Sequence, residues 1–118
     1  MRIAFLTLGC KLNYAETSTY ERGFTANGLE VVPWEEQADV YLINTCSVTE
    51  RAEKKCRNVI RKMHRVSPGA RIIVTGCYAE LRRNDLLAID GVSLVFGAKE
   101  KSRVVPDTME LLLNVSGG

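Results

Sequence analysis

The chain has 118 residues, 46% of them hydrophobic and 25% charged, which fits one globular domain with a real core and excludes a disordered tail. Net charge is only +2, too small to mark the whole molecule as a polyanion binder. No apolar run reaches bilayer-crossing length, and the opening MRIAFLTLGC reads as a first strand rather than a leader, so the expected location is the cytoplasm, with no membrane partner.

The elements alternate. Ile3–Leu8 is the first strand, running into Gly9-Cys10; the helix after it is expected over about Asn13–Ala26, with Asn13 as its cap and Asn27-Gly28 as its stop. Leu29–Val32 makes a short second strand closed by Pro33-Trp34. Ala38–Ile43 makes the third, ending at Asn44-Thr45 just before Cys46, and Ser47-x-x-Glu50 is a capping box for a helix over Val48–Val66. Arg71–Thr75 is strand four, followed by Gly76-Cys77 and a helix over Ala79–Ala88. Val92–Phe96 is strand five, and a last helix spans Ser102–Val115, its start blurred by Pro106. Residues 116–118 read as a linker or an artificial end.

Strict alternation of strand and helix implies an α/β fold: a five-stranded parallel sheet, flavodoxin-like in the order 2-1-3-4-5, with helices on both faces. In that order strands one, three and four are neighbours, and each is followed within a few residues by a cysteine. Cys10, Cys46 and Cys77 would then converge at the carboxyl edge, where open α/β sheets place their chemistry. Helix N-termini there favour thiolate, and three thiolates suit zinc or an iron–sulfur cluster. Zinc is poorly served, because no Cys-x-x-Cys pair occurs and His64, the sole histidine, sits far along a helix. The competing reading is that the three are small residues at tight strand ends, with Gly9 and Gly76 easing backbone contact. Asn13, Asn44 and Thr45 are candidate donors behind the thiolates.

Cys56 falls on the apolar stripe Val48, Ala52, Cys56, Val59, Ile60, Met63 and reads as core. The same helix carries seven basic residues against two acids between Glu50 and Arg65, a local +5. Of these, Arg51, Lys54, Lys55, Arg61, Lys62 and Arg65 form a broad face able to track a phosphate backbone, although a solvated helix face, supported by a Glu50–Lys54 pair, is the plainer explanation. No P-loop, G-x-G-x-x-G, G-x-S-x-G or H-E-x-x-H is present.

Three ordered segments carry a resemblance: Thr7-Leu8-Gly9-Cys10-Lys11-Leu12-Asn13, Asn44-Thr45-Cys46-Ser47-Val48-Thr49, and Val74-Thr75-Gly76-Cys77-Tyr78-Ala79-Glu80. Together they resemble the N-terminal domain of the radical-SAM methylthiotransferases, over essentially the whole chain from Arg2 to about Val105. The Leu-Gly-Cys-Lys-Leu-Asn form is most similar to the branch acting on N6-threonylcarbamoyladenosine beside the tRNA anticodon.

The resemblance implies that Cys10, Cys46 and Cys77 ligate an auxiliary [4Fe–4S] cluster whose open iron holds the sulfur to be inserted. It implies that residues 1–115 are this domain of a transferase. A radical-SAM partner domain, with a second cluster and S-adenosylmethionine, would generate the radical that takes hydrogen from C2 of the adenine. That domain's Cys-x-x-x-Cys-x-x-Cys is absent from this sequence, so the chain alone is not expected to complete the reaction, and no catalytic residue is assigned in it. Two other readings are a non-catalytic flavodoxin-like module contacting nucleic acid or protein through helix 50–65, and a dithiol redox protein, which leaves the third edge cysteine unexplained.

Overall fold

The computed structural model describes residues 1–8, 11–45 and 49–117, with the side chains of 11–12 and 114–117 left aside. Within them β1 (Arg2–Leu8), β2 (Glu30–Val32), β3 (Val40–Thr45), β4 (Arg71–Gly76) and β5 (Val92–Phe96) form one parallel sheet in the order β2-β1-β3-β4-β5. The expected fold is therefore the observed one.

Period-two alternation divides the core between the sheet faces. Ile3, Val40, Leu42 and Ile73 point to one side, where Tyr20 and Phe24 of α1 (Lys11–Ala26) and Val104 and Leu112 of α5 (Val104–Gly117) cover them. Ala4, Tyr41, Ile43, Ile72 and Val74 point to the other. There Cys56, Ile60 and Met63 of α2 (Glu50–Val66), Tyr78 and Ala79 of α3 (Cys77–Leu81) and Leu86 of α4 (Arg83–Leu87) cover them. β3 is buried at every position, as a central strand covered on both faces must be. No helix among the described residues is long and apolar enough to cross a membrane.

Several boundaries differ from expectation. β3 runs through Asn44 and Thr45, because both pair on either side with β1 and β4 and both side chains find partners inside. α1 begins at Lys11, so Asn13 lies buried in its first turn rather than capping it. The cap of α2 is Thr49, whose hydroxyl accepts from the Ala52 amide at 3.2 Å; Ser47 and Val48 lie outside the described residues.

The helix expected over Ala79–Ala88 forms as α3 and α4, broken where Arg82 takes φ −125° and ψ 36°. The last helix is preceded by a 3-10 helix, Ala98–Arg103, and Pro106 is the third residue of α5, where a backbone amide has no intrahelical acceptor to lose.

Candidate metal centre

The strand register aligns three chain exits. Leu8 pairs with Thr45, and Thr45 pairs with Gly76, so the last residues of β1, β3 and β4 stand in one row across adjacent strands. At about 4.8 Å per strand the row spans roughly 10 Å. Cys46 and Cys77 come next in sequence after Thr45 and Gly76, and Cys10 comes two residues after Leu8. Cys10 and Cys46 lie outside the described residues. Cys77 is exposed at the edge, at the start of α3. That helix has only five residues, so the dipole invoked for Cys77 from sequence is weak there. Among the described residues no three His, Cys, Asp or Glu side chains gather into a metal-sized group.

Gly76 sets how close β3 and β4 come at this row. Its φ is +109°, and a Cβ placed on it would lie 1.8 Å from the Thr45 carbonyl oxygen. Only glycine allows that conformation and that approach together.

Behind the row lies a buried polar network. The Asn13 amide donates to the Asn44 side-chain oxygen at 2.9 Å, and Asn44 donates back to the Asn13 carbonyl at 3.1 Å and to the Thr17 hydroxyl at 3.3 Å. Thr17 shares a 2.8 Å bond with Thr7. Asn13 is three residues past Cys10 and Asn44 two before Cys46, so this reciprocal pair ties together the two segments that flank those cysteines. Thr45 donates to the Thr75 carbonyl at 3.2 Å, across β3 and β4. Asn13, Asn44 and Thr45 bond protein partners and brace the edge; the donation to sulfur expected of them falls on Cys10 and Cys46, which lie outside the described residues.

Tyr78 is buried and accepts from the Arg57 guanidinium at 3.1 Å, whereas Tyr14 is exposed. A residue missed by sequence reasoning is Lys101, on the 3-10 helix 24 residues after Cys77. Its bond to Glu16 is the main cause of a pKa pushed above the usual lysine range; partial burial opposes it, and the charges of Glu16, Tyr20 and Cys77 add to it. Lys101 is therefore ion-paired to Glu16 of α1 across the sheet edge. Nothing in the sequence around Lys101 signals this, since the crossover from β5 brings it there.

Cys56 is a core residue, 1% exposed, as its place on the apolar stripe predicts. Burial pushes its thiol up from the ordinary 9.0 to about 12, the Arg57 charge opposing slightly, so it is protonated at neutral pH and unsuited to bind metal. The linkage has a definite sign. Below pH 9 the thiol is protonated in both folded and unfolded chains; between about 9 and 12 only the unfolded chain loses its proton, and stability falls by up to about 1.4 kcal/mol per pH unit. Tyr20, raised mainly by burial, adds to the fall higher in the range. Urea unfolding across that window should show a steep loss for the parent chain and a shallower one for Cys56→Ala.

The basic face of α2 divides. Arg51, Lys54, Lys55 and Lys62 gather with Asn58 along a furrow whose other wall is Trp34, from the connection between β2 and β3. Arg61 instead lies with His64 and the acidic pair Asp85 and Asp90 by α4, and no ion pair among the described residues includes Arg65. The Glu50–Lys54 pair does not form.

Comparison with known proteins adds two findings. A family model described as "Uncharacterized protein family UPF0004" matches residues 2–97. Among curated relatives, a Bacillus subtilis (strain 168) protein named threonylcarbamoyladenosine tRNA methylthiotransferase MtaB is 44% identical over 103 residues, 87% of this chain and 23% of that protein. Its Aquifex aeolicus namesake is 39% identical over 112 residues, 95% of this chain and 27% of that protein. A Fervidobacterium nodosum protein named tRNA-2-methylthio-N(6)-dimethylallyladenosine synthase is 31% identical over 118 residues, all of this chain and 26% of that protein. The chain thus spans about a quarter of the length of the relatives it matches.

Proposed function

Because this chain belongs to the family described as Uncharacterized protein family UPF0004, with methylthiotransferases among its relatives, we propose that residues 1–115 are the cluster-binding N-terminal domain of a tRNA methylthiotransferase acting in the cytoplasm. Cys10, Cys46 and Cys77 are its ligands for an auxiliary [4Fe–4S] cluster. The observation that carries this reading is the register row: Leu8, Thr45 and Gly76 stand side by side, and the three cysteines follow them in sequence within two residues.

The donor set fits the group. Three cysteines follow adjacent strand ends, the one described among them is exposed, and the fourth thiol is buried and protonated. Three thiolates leave one iron of a cubane without a protein ligand, and the cluster would supply there the sulfur destined for C2 of the modified adenosine. S-adenosylmethionine and a second [4Fe–4S] cluster belong to a radical-SAM domain outside this sequence, which lacks Cys-x-x-x-Cys-x-x-Cys.

The chain's own residues have separable tasks. The cysteines hold iron as thiolates, and Asn13 and Asn44 brace the segments beside two of them. The substrate is N6-threonylcarbamoyladenosine in tRNA, in keeping with the names of the relatives at 44% and 39% identity.

Anaerobic reconstitution with iron and sulfide tests the proposal: roughly four irons per chain and visible charge-transfer absorption are expected. A folded chain that takes up no iron would overturn it and leave the non-catalytic binding module.

A further inference from the structure

We propose that the furrow between Trp34 and α2 is a binding track for unpaired RNA, in which one base stacks on the Trp34 indole and the flanking phosphates lie along Arg51, Lys54, Lys55 and Lys62. This deepens the functional reading above, resting on its tRNA partner, and assigns the surface and the mode of contact.

The charge is the first support. Arg2, Arg82, Arg83, Lys101 and Arg103 are each ion-paired to a carboxylate, and Arg57 is bonded to Tyr78. The four furrow cations have no ion pair among the described residues, and no acidic side chain lines the furrow. Four like charges on one helix stripe repel one another, and a chain of phosphates relieves that repulsion while releasing counterions.

The indole is the second support, and it selects among polyanions. An acidic peptide or a duplex backbone needs only the cations. Trp34 is half-buried, its inner part packed on the core, and the Lys62 ammonium lies over its ring at 5.4 Å. An exposed cation–π contact is weaker than base–aromatic stacking, so an incoming base displaces the ammonium and frees Lys62 for a phosphate. Bases inside a duplex are already stacked and cannot reach the ring, which favours unpaired RNA. Asn58 lies between the cations with a side chain able to both donate and accept.

The track also has a useful direction. α2 follows β3, so Arg51 is near the carboxyl edge that bears Cys77, and Lys62 lies roughly 16 Å further along the helix axis. Nucleotides flanking a base held at the edge would run down this furrow.

Trp34 is the sole tryptophan of the chain, so its fluorescence reports on this furrow alone. The test titrates the 118-residue chain with an unstructured RNA of roughly ten nucleotides. A duplex of equal length and a polyglutamate peptide serve as comparison ligands. Expected are quenching of Trp34 by the single strand, a log–log salt slope of about −3 for four phosphates, and affinity about 5- to 100-fold weaker in Trp34→Ala but largely kept in Trp34→Phe.

Because Trp34 also packs on the core, the exposed double variant Lys54→Glu/Lys55→Glu provides a second test, with at least about a tenfold loss expected. RNA binding without quenching, equal affinity in both variants, or equal quenching by duplex or polyglutamate would each overturn the proposal. Iron uptake separates it from the cluster assignment. A chain that reconstitutes iron but does not quench with RNA loses only the furrow, and one that quenches but takes up no iron loses only the cluster.

Discussion

Replacing any one of Cys10, Cys46 or Cys77 by alanine should drop reconstituted iron from roughly four per chain to near zero, while Cys56→Ala keeps it. A cubane held by three thiolates has no spare protein ligand, so losing one leaves two irons open and the cluster is released to solvent. The fold should survive, most plainly in Cys77→Ala. That side chain is exposed, and surface changes of this kind cost within about 0.5 kcal/mol. Cys56→Ala inverts the pattern, removing a buried sulfur from beneath the sheet while leaving the edge intact. Iron analysis and far-ultraviolet circular dichroism on the four variants check both halves. Iron retained in two or more of the three edge variants, or lost in Cys56→Ala, would refute the ligand set.

The sheet was legible in the sequence because its strands are unambiguous. Val40–Ile43 and Ile72–Val74 are unbroken apolar runs rich in β-branched residues, with Tyr41 the one aromatic, as a strand covered on both faces accommodates, and the intervening helices impose the parallel order. Edges were harder. Asn44 and Thr45 look like a strand terminator when read as residue types, yet they continue β3 because each meets a partner distant in sequence: Asn13 and Thr17 for one, the Thr75 carbonyl for the other. Polar residues are allowed inside when satisfied, and sequence alone does not display the satisfying group. The same reason moved the start of α1 ahead of Asn13, whose side chain is committed to Asn44.

The candidate site stands out in sequence where chemistry is written in one letter. Four cysteines divide by periodicity into one on an apolar helical stripe and three after strands, and burial of Cys56 agrees with that division. What the letters could not give was the partners brought in by topology. Trp34 reads as a strand stop, and only the return of α2 over the sheet sets it beside Lys54 and Lys62. Lys101 reads as one lysine in a charged stretch until the crossover after β5 brings it to Glu16. The basic helix likewise looked uniform on a wheel, but Asp85 of α4 and Asp90 just after it lie beside Arg61, leaving a narrower stripe free.

Gly76→Ala is expected to be the most damaging single methyl in the molecule, lowering stability by about 4 kcal/mol and carrying iron uptake down with it. Two costs combine. At φ +109° an L side chain is strained, and the added Cβ would sit 1.8 Å from the Thr45 oxygen and 2.8 Å from its carbonyl carbon. Those are backbone atoms of the central strand, held on both sides by β1 and β4, so they cannot swing away as a flexible side chain would. Gly28→Ala separates the two costs. Gly28 has φ +90° but open space where its Cβ would go, so strain alone applies there, about 1–2 kcal/mol. Urea midpoints at constant slope measure both variants. If Gly76→Ala proves no worse than Gly28→Ala, the contact with Thr45 does not constrain the edge. If it is worse by the expected margin and loses iron while Gly28→Ala retains it, the spacing of β3 and β4 at their carboxyl ends is what the cluster requires.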